Sequence, residues 1–182
     1  MTPAVVISVL ALAFTVASFW WIQVRRGRLV AYEPQTYAGY LKQAGFRLRL
    51  PLTIYNTGAK TLVVTDIRAV FLGEGVDAPV ITFRRTLKPI PDDVLDFAHP
   101  FPVAGRQADT RFVEFGRKDW SPEHSTEYEV AIEIKIGDRP HWTELVRVTL
   151  TSPDGETGGN YIAHRRDPAD DAPPATVWSG SE

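Results

Sequence analysis

The strongest candidate for metal or acid–base chemistry in this sequence is an acidic segment that ends in a histidine. Asp92, Asp93, Asp96 and His99 place oxygen and nitrogen donors close together in the chain, and such donors can hold a divalent cation. The same Pro-Asp-Asp sequence is also ordinary turn and helix-start chemistry, because aspartate caps free backbone N–H groups. We favour the structural interpretation, so no metal ligand is assigned.

Elsewhere, the residue types needed for catalysis do not come together. The chain of 182 residues has no cysteine, and its 4 histidines do not have the spacing of metal ligands on a helix. Glu127, Glu129 and Glu133 alternate with apolar residues, which indicates the solvated face of a strand. A net charge of −2 gives no basic footprint for nucleic acid. We therefore expect a protein that is not an enzyme, holds no cofactor and binds no nucleic acid.

A segment near the N-terminus has the length of a membrane span. Residues 4–24 contain no charged side chain, and a helix of that length crosses roughly 30 Å, the thickness of a hydrocarbon core. Two tryptophans lie near the end of this segment, at the position of an interfacial aromatic belt, and arginines follow the segment directly. We expect the following side chains at the membrane interface: Trp20, Trp21, Arg25, Arg26 and Arg28.

A cleaved signal peptide and a buried core helix are the alternatives for this segment. A signal peptide needs a positive n-region and small residues at its cleavage site, and neither is found here. A core helix would carry a polar stripe. The arginines after the helix favour a single-pass protein of the cell membrane, with the lipid bilayer as a partner and the rest of the chain in the cytoplasm rather than exported. The basic arm continues with Lys42, Arg47 and Arg49, and those nearest the bilayer would contact anionic headgroups.

Small residues lie on one face of the expected helix, and such a stripe lets two helices approach closely. It predicts a possible homo-oligomer through these residues: Ala4, Ser8, Ala11, Thr15 and Ser18. Small residues are also common in any membrane helix, which is the alternative interpretation.

The chain after the helix has the pattern of short β-strands separated by turns. Apolar and polar residues alternate over 46–55 and over 127–136, so each strand has one buried face. Pro51 removes a backbone donor and predicts an edge strand or a bulge. We expect these residues to be buried: Phe46, Leu48, Leu50, Leu52, Ile54, Ile67, Phe71, Val113, Phe115, Tyr128, Val130, Ile132, Ile134 and Val148.

About seven strands without helical periodicity favour two packed antiparallel sheets. The predicted fold is an all-β, seven-stranded antiparallel immunoglobulin-like sandwich after one N-terminal transmembrane helix. The acidic C-terminal segment lacks apolar periodicity and is expected to be disordered. The expected organisation is an N-terminal flank (1–3), the transmembrane helix (4–24), a basic juxtamembrane segment (25–27), a β-sandwich domain (28–151) and the acidic tail (152–182).

The number of strands, the turn at 55–59 and the unit at 101–115 resemble bacterial immunoglobulin-like domains. The layout is similar to that of bacterial single-pass membrane proteins that carry one small β-domain. The two cysteines of antibody domains are missing. This resemblance implies a fold and no particular activity.

The resemblance places the strands at 62–72, 127–136 and 142–150 side by side in one sheet. Exposed aliphatic residues among charges of both signs would then form the centre and the rim of a protein interface. We expect a membrane-anchored, non-enzymatic β-sandwich that presents a surface to a protein partner. An envelope-side accessory domain of a transport or assembly system is the alternative. The possible partner surface comprises Leu62, Val64, Arg68, Val70, Glu129, Glu133, Leu145 and Arg147.

Overall fold

A computed structural model of the chain describes residues 2–42, 45–87, 95–123, 126–152, 161–165 and 176–178. An N-terminal helix, α1, covers Pro3–Phe19 and continues as a π-helical turn over Trp20–Val24. Proline at the start of α1 is favourable, because the first N–H groups of a helix have no partner within it. Helix and turn together form 22 residues that are long and apolar enough to cross a membrane.

The rest of the described chain is mostly β-structure. It contains more strands than the seven expected; the additional ones include residues 36–42, two strands in the C-terminal segment and short pairing segments such as 96–97, which have too few residues to show a period. The strands are β1 (Leu29–Tyr32), β2 (Thr36–Lys42), β3 (Gly45–Asn56), β4 (Leu62–Phe71), β5 (Val76–Arg84), β6 (Asp96–Phe97), β7 (Phe101–Val103), β8 (Ala108–Arg117), β9 (Glu127–Ile136), β10 (Thr143–Thr151), β11 (Tyr161–Arg165) and β12 (Thr176–Trp178).

All strand pairs in the described residues are antiparallel, in the order β10-β9-β4-β5-β8-β3-β2-β11-β12. β1 pairs with β3, β6 with β5, and β7 with β4. The first half of β5 pairs with β4 and its second half with β8, with a register shift between Val80 and Thr82. A bulge of this kind bends a strand, and here it lets β5 pass from one side of the fold to the other.

The sheet is nearly closed into a barrel. β1 lies beside β10, and the Tyr37 hydroxyl on β2 bridges the backbone of Thr151 on β10. The hydroxyl donates to the Thr151 carbonyl at 3.1 Å and accepts from the Thr151 N–H at 2.8 Å. Closure of this kind protects strand edges that would otherwise present unpaired backbone groups.

The alternating positions on β3 and β9 form the core, as predicted. Each of the residues expected to be buried is buried, while Glu129 on β9 is exposed. Toward the end of the barrel away from α1, Phe46, Phe71, Trp120 and Tyr128 meet edge-to-face or tilted, with ring centroids 4.7 to 6.1 Å apart. Such aromatic contacts stabilise a core beyond the area that they bury.

Pro51 is not at an edge of the sheet, contrary to the expectation. β3 is paired on both sides, and its register with β8 runs without a shift from Phe46 to Tyr55. On its other side, β3 pairs with β2 up to Arg49 and with β1 from Thr53 onward. Pro51 lies between these two partners, so an interior strand tolerates a residue without an N–H donor.

The acidic tail was expected to lack secondary structure. Within it the structure describes β11, which pairs with β2, and β12, which pairs with β11. Residues 153–160, 166–175 and 179–182 lie outside the described residues.

Candidate functional site

The strands of the predicted partner surface are neighbours. β4 pairs with β9, and β9 pairs with β10, so their outer faces form one continuous surface. This adjacency was predicted from the sequence. The side chains on the surface differ from the prediction in one respect.

Val64 lies in the core and not on the outer face. Its side chain is 1 % exposed, whereas that of Val63 is 40 % exposed. The register between β4 and β9 shifts between Val64 and Asp66, and an extra residue in a strand reverses the face on which the preceding residues lie. The sequence prediction assumed a regular strand and therefore assigned Val64 to the wrong face.

The other aliphatic residues of the predicted surface are only partly exposed. Leu62 and Leu145 pack against the core cluster, and Val70 is half-buried. β10 also has a register shift, between Glu144 and Val146, which places Leu145 next to the core. The described surface therefore has little apolar area at its centre.

Charged side chains cover most of this face. Arg68 on β4 contacts Glu133 at 2.7 Å and Asp77 at 3.3 Å. Arg147 contacts Glu144 at 2.9 Å and Glu129 at 3.8 Å. The hydrogen bond to Glu144, followed by its charge, raises the pKa of Arg147.

Trp142, just before β10, is flanked by two cations. The guanidinium carbon of Arg68 lies 4.3 Å from the ring centroid and the ammonium nitrogen of Lys135 lies 4.5 Å from it. Cation–π contacts of this kind hold a large ring in a fixed position on a polar surface. Trp142 gives the face an aromatic centre that the sequence prediction did not include.

The second feature with functional potential is the end of the barrel to which the helix is attached. Only residues 25–28 separate the π-helical turn from β1. The Ala59 N–H donates to the Arg25 carbonyl at 3.0 Å, and the Arg106 guanidinium donates to the Trp21 carbonyl at 2.7 Å. A backbone N–H of one turn and a side chain of the other thus hold the end of the helix directly.

Two glycines make this contact close. A Cβ built on Gly27 would overlap the backbone of Gly58, and one built on Gly58 would overlap Gly27. Beside them, Arg28 and Thr57 exchange hydrogen bonds: the Thr57 N–H donates to the Arg28 carbonyl, and the Arg28 N–H donates to the Thr57 hydroxyl. The segment between helix and barrel is therefore packed against the turn at 56–61.

Asn56 organises that turn from inside the barrel. Its side chain is fully buried; the amide donates to the carbonyls of Lys60 and Val103, and its oxygen accepts from the Gly58 N–H. An asparagine that bonds to nearby backbone in this way is a common element of turns. It connects the β3–β4 turn to the adjacent β7–β8 turn.

The predicted interface residues of the helix lie at this junction, but the predicted basic arm does not. The Arg25 guanidinium stacks over the Trp21 ring at 4.0 Å. Arg47 and Arg49 lie in the other half of β3, whose opposite end, at Asn56, contacts the junction. Arg49 is 2 % exposed and bonded to Glu114. These residues are therefore not membrane-interface candidates.

The acidic segment considered for metal binding is only partly described. Asp92 and Asp93 lie outside the described residues. The His99 Nδ1 lies 2.8 Å from the Phe97 carbonyl and 3.7 Å from the Asp96 carboxylate. In the part of the chain that the structure describes, no group of three or more His, Cys, Asp or Glu side chains is placed to hold a metal ion.

Two hydroxyl groups of the small-residue stripe, those of Ser8 and Thr15, have partners within α1. The Ser8 hydroxyl donates to the Ala4 carbonyl and the Thr15 hydroxyl to the Ala11 carbonyl, which removes the cost of hydroxyl groups in an apolar helix.

Three basic residues at the helix-proximal end, Lys60, Arg106 and Arg139, were not predicted as site residues. They are far apart in the sequence, and only the pairing of the strands brings their turns together. Arg106 had one weak signal, its position after Gly105 in a turn. No protein-family model matches the chain, and no curated protein is significantly similar to it.

Proposed function

We propose that this protein is a single-pass, membrane-anchored, non-enzymatic β-domain that presents a protein-interaction surface at the membrane. The observation that carries the proposal is the junction between helix and barrel. The apolar helix ends at Val24, and β1 begins at Leu29, with both turns of the junction bonded to the helix end. A domain attached in this way stays at the bilayer instead of reaching from it on a flexible linker.

The arginines that follow the helix support a cytoplasmic location for the β-domain in the cell membrane. Arg25, Arg26 and Arg28 lie within the distance from a helix end over which basic residues determine orientation. An exported domain remains the alternative, as expected of an envelope-side accessory domain.

The order of the strands supports an immunoglobulin-like relationship. We assign β1, β3, β4, β5, β8, β9 and β10, in chain order, to the seven strands of such a domain; their pairing is β10-β9-β4 on one side and β5-β8-β3-β1 on the other. An immunoglobulin constant-type domain has these pairs as CFG and ABED, and the chain adds one pairing between the two groups, that of β4 with β5. The remaining strands, β2, β6, β7, β11 and β12, are additions to that arrangement.

The face of β4, β9 and β10 is the proposed partner surface, in corrected form. We remove Val64, which is buried, and add Trp142 with the ion pairs around Arg68 and Arg147. Aromatic and arginine side chains are enriched in protein interfaces. Self-association of α1 through its small residues is a separate proposal, and a helix-to-helix crosslink in membranes would test it.

The test uses the full chain in its own membranes. A photo-crosslinking amino acid is placed at Glu129 or Arg147 on the proposed surface, and at Glu74 in the β4–β5 turn as an exposed control. We expect one discrete adduct from the first two positions and not from the third. Equal adducts from all three positions, or none from positions 129 and 147, would contradict the partner surface. Release of the full-length chain by alkaline carbonate would contradict the membrane anchor.

A further inference from the structure

The helix-proximal end of the barrel gathers four segments from distant parts of the sequence. The junction at 25–28 contacts the turns at 56–61 and 104–107. The Asn56 N–H also donates to the Gln107 carbonyl at 3.0 Å. The β9–β10 turn at 137–142 joins the same end, since the Gly137 N–H donates to the Val63 carbonyl near the start of β4 at 2.8 Å.

Basic side chains are the common feature of these four segments. Asp138 is their acidic residue; nearby Asp109 is paired with Arg111 at 2.8 Å. None of the basic residues is buried. We call this set the basic collar: Arg25, Arg26, Arg28, Lys60, Arg106 and Arg139.

Arg106 shows the depth at which the collar lies. Its guanidinium donates to the carbonyl of Trp21, a residue of the last helical turn. A helix of 22 residues spans about 33 Å, so its last turn reaches the headgroup region when the helix crosses a bilayer. The side chain of Arg106 is therefore held at headgroup level, beside the tryptophans that anchor a helix there.

The backbone of Arg106 points to a role for its side chain. Its φ of 57° is in the left-handed region, at the third position of a turn closed by the Gln107 N–H and the Ala104 carbonyl. Glycine is the usual residue at such a position, and a side chain there has a cost. The hydrogen bond from its guanidinium to the Trp21 carbonyl accounts for an arginine in this conformation and ties the turn to the end of the helix.

Orientation signals do not account for the whole collar. Basic residues determine orientation when they lie within about 15–20 residues of a helix end. Lys60, Arg106 and Arg139 lie far beyond that distance in the sequence, yet the fold returns them to the junction.

The opposite end of the barrel has the other sign of charge. Glu74, Asp119, Glu123 and Glu127 are exposed there, together with Lys118. The hydrogen bond from Arg117 keeps the pKa of Asp119 below its ordinary value, so this carboxylate stays charged. Among the residues that the structure describes, the exposed basic side chains are in excess at the helix-proximal end, which is complementary to an anionic surface.

We propose that the basic collar binds the headgroups of anionic lipids and so fixes the helix-proximal end of the barrel against the bilayer. The proposal rests on the proposed function in one respect, that α1 spans the membrane. Each phosphate-bearing headgroup accepts hydrogen bonds from the guanidinium and ammonium groups, and the low water content at that depth strengthens the attraction. Lys60, Arg106 and Arg139 should therefore add to the affinity for anionic lipid that the arginines next to the helix provide.

The test measures lipid selectivity around the full-length protein in bilayers. Spin-labelled phosphatidylglycerol is compared with spin-labelled phosphatidylcholine as the probe, and the fraction of each that the protein immobilises gives the relative affinity. We expect a preference for phosphatidylglycerol that decreases at high salt, because salt screens exposed charges. Each of Lys60→Gln, Arg106→Gly and Arg139→Gln should reduce the preference, by up to about 5-fold.

Three controls separate charge from misfolding. Lys60→Gln and Arg139→Gln change exposed side chains and leave the hydrogen bond from Arg106 to Trp21 in place, so a loss of selectivity in these variants is not a loss of the junction. Arg106→Lys keeps the charge and should keep most of the preference. Lys118→Gln removes one exposed charge at the opposite end and should leave the preference unchanged.

If a variant with all three substitutions at Lys60, Arg106 and Arg139 keeps the preference for phosphatidylglycerol, the proposal that the basic collar binds anionic lipid is wrong. A preference that does not respond to salt would also contradict it. If carbonate extracts the protein from membranes, the anchor itself fails, which distinguishes the failure of the proposed function from that of the collar.

Discussion

At the scale of single residues, a buried ion pair on the outer side of the β3–β8 sheet is the most consequential polar contact. The Nε of Arg49 lies 2.6 Å from the Glu114 carboxylate, and Arg84 approaches the same carboxylate at 3.4 Å. The side chains of Arg49 and Glu114 are 2 % and 5 % exposed. Two buried charges depend on each other, because water cannot replace a lost partner.

We predict that Glu114→Ala destabilises the barrel by about 3 kcal/mol or more, since the buried Arg49 charge loses this carboxylate. Urea unfolding of the full chain in detergent micelles measures the effect. Glu144→Ala breaks the exposed pair with Arg147 and should cause no resolvable change. Equal effects of the two substitutions would contradict the burial of the Arg49–Glu114 pair.

Tyr37 carries a prediction about pH. Burial, the largest cause, raises the pKa of its hydroxyl above the ordinary 10.0, against the lowering effect of the hydrogen bonds to Thr151. Above pH 10 the unfolded chain loses this proton before the folded chain does, so the stabilisation is present below that pH and is lost as the pH rises through the folded pKa.

Tyr37→Phe should therefore cost about 1–2 kcal/mol at neutral pH, because the backbone of Thr151 loses its partner. The difference between the variant and the wild-type chain should narrow as the pH rises above the ordinary pKa of 10.0 toward the raised pKa of the folded chain. Unfolding midpoints across that range measure it, and a constant difference would contradict the raised pKa.

At the scale of elements, the bulge in β4 decides which of two neighbouring valines is in the core. Val63→Glu should change stability by no more than about 0.5 kcal/mol, since Val63 is exposed. Val64→Glu places a carboxylate in the core and should cost about 3 kcal/mol or more. The matched pair is measured by thermal unfolding in micelles. The reverse order of the two effects would show that β4 is regular.

The same comparison shows how far the sequence predicts this fold. Period-two alternation on β3 and β9 is determined by the residues of one strand, so the core positions there are predicted correctly. A bulge depends on the pairing between two strands, and no local pattern in residues 62–66 indicates it. The short strands β6 and β7 and the interior position of Pro51 are likewise determined by their neighbours.

The candidate site shows the same limit more strongly. The membrane-interface residues next to the helix can be predicted from the sequence because they lie in one short stretch, from Trp20 to Arg28. Lys60, Arg106 and Arg139 belong to three turns that only the folded sheet brings together. Conversely, Arg47 and Arg49 are close to the helix in sequence but lie away from it in the fold.

At the scale of the whole molecule, the junction gives the barrel a fixed orientation with a basic end near the helix and an acidic end away from it. Gly27 and Gly58 allow the close contact on which this depends. We predict that Gly27→Ala separates helix and barrel, because a Cβ there meets the Gly58 backbone. Gly73→Ala is the control, since nothing lies within 4 Å of a Cβ at that position.

The most direct test of the account is the depth of the two ends of the barrel in a bilayer. The chain has no cysteine, so a single spin label can be attached at Gln107, beside the junction, or at Glu74, at the opposite end. Electron paramagnetic resonance accessibility to oxygen and to a water-soluble nickel chelate gives the depth of each label. We predict that the label at Gln107 lies in the headgroup region and that at Glu74 in water, about 25–33 Å farther out, which is the length of the 12-residue β3 along the axis of a barrel whose strands tilt by about 35–45°. In the Gly27→Ala variant the label at Gln107 should move toward water. Equal exposure of both labels to the nickel chelate in the wild-type chain would contradict the account.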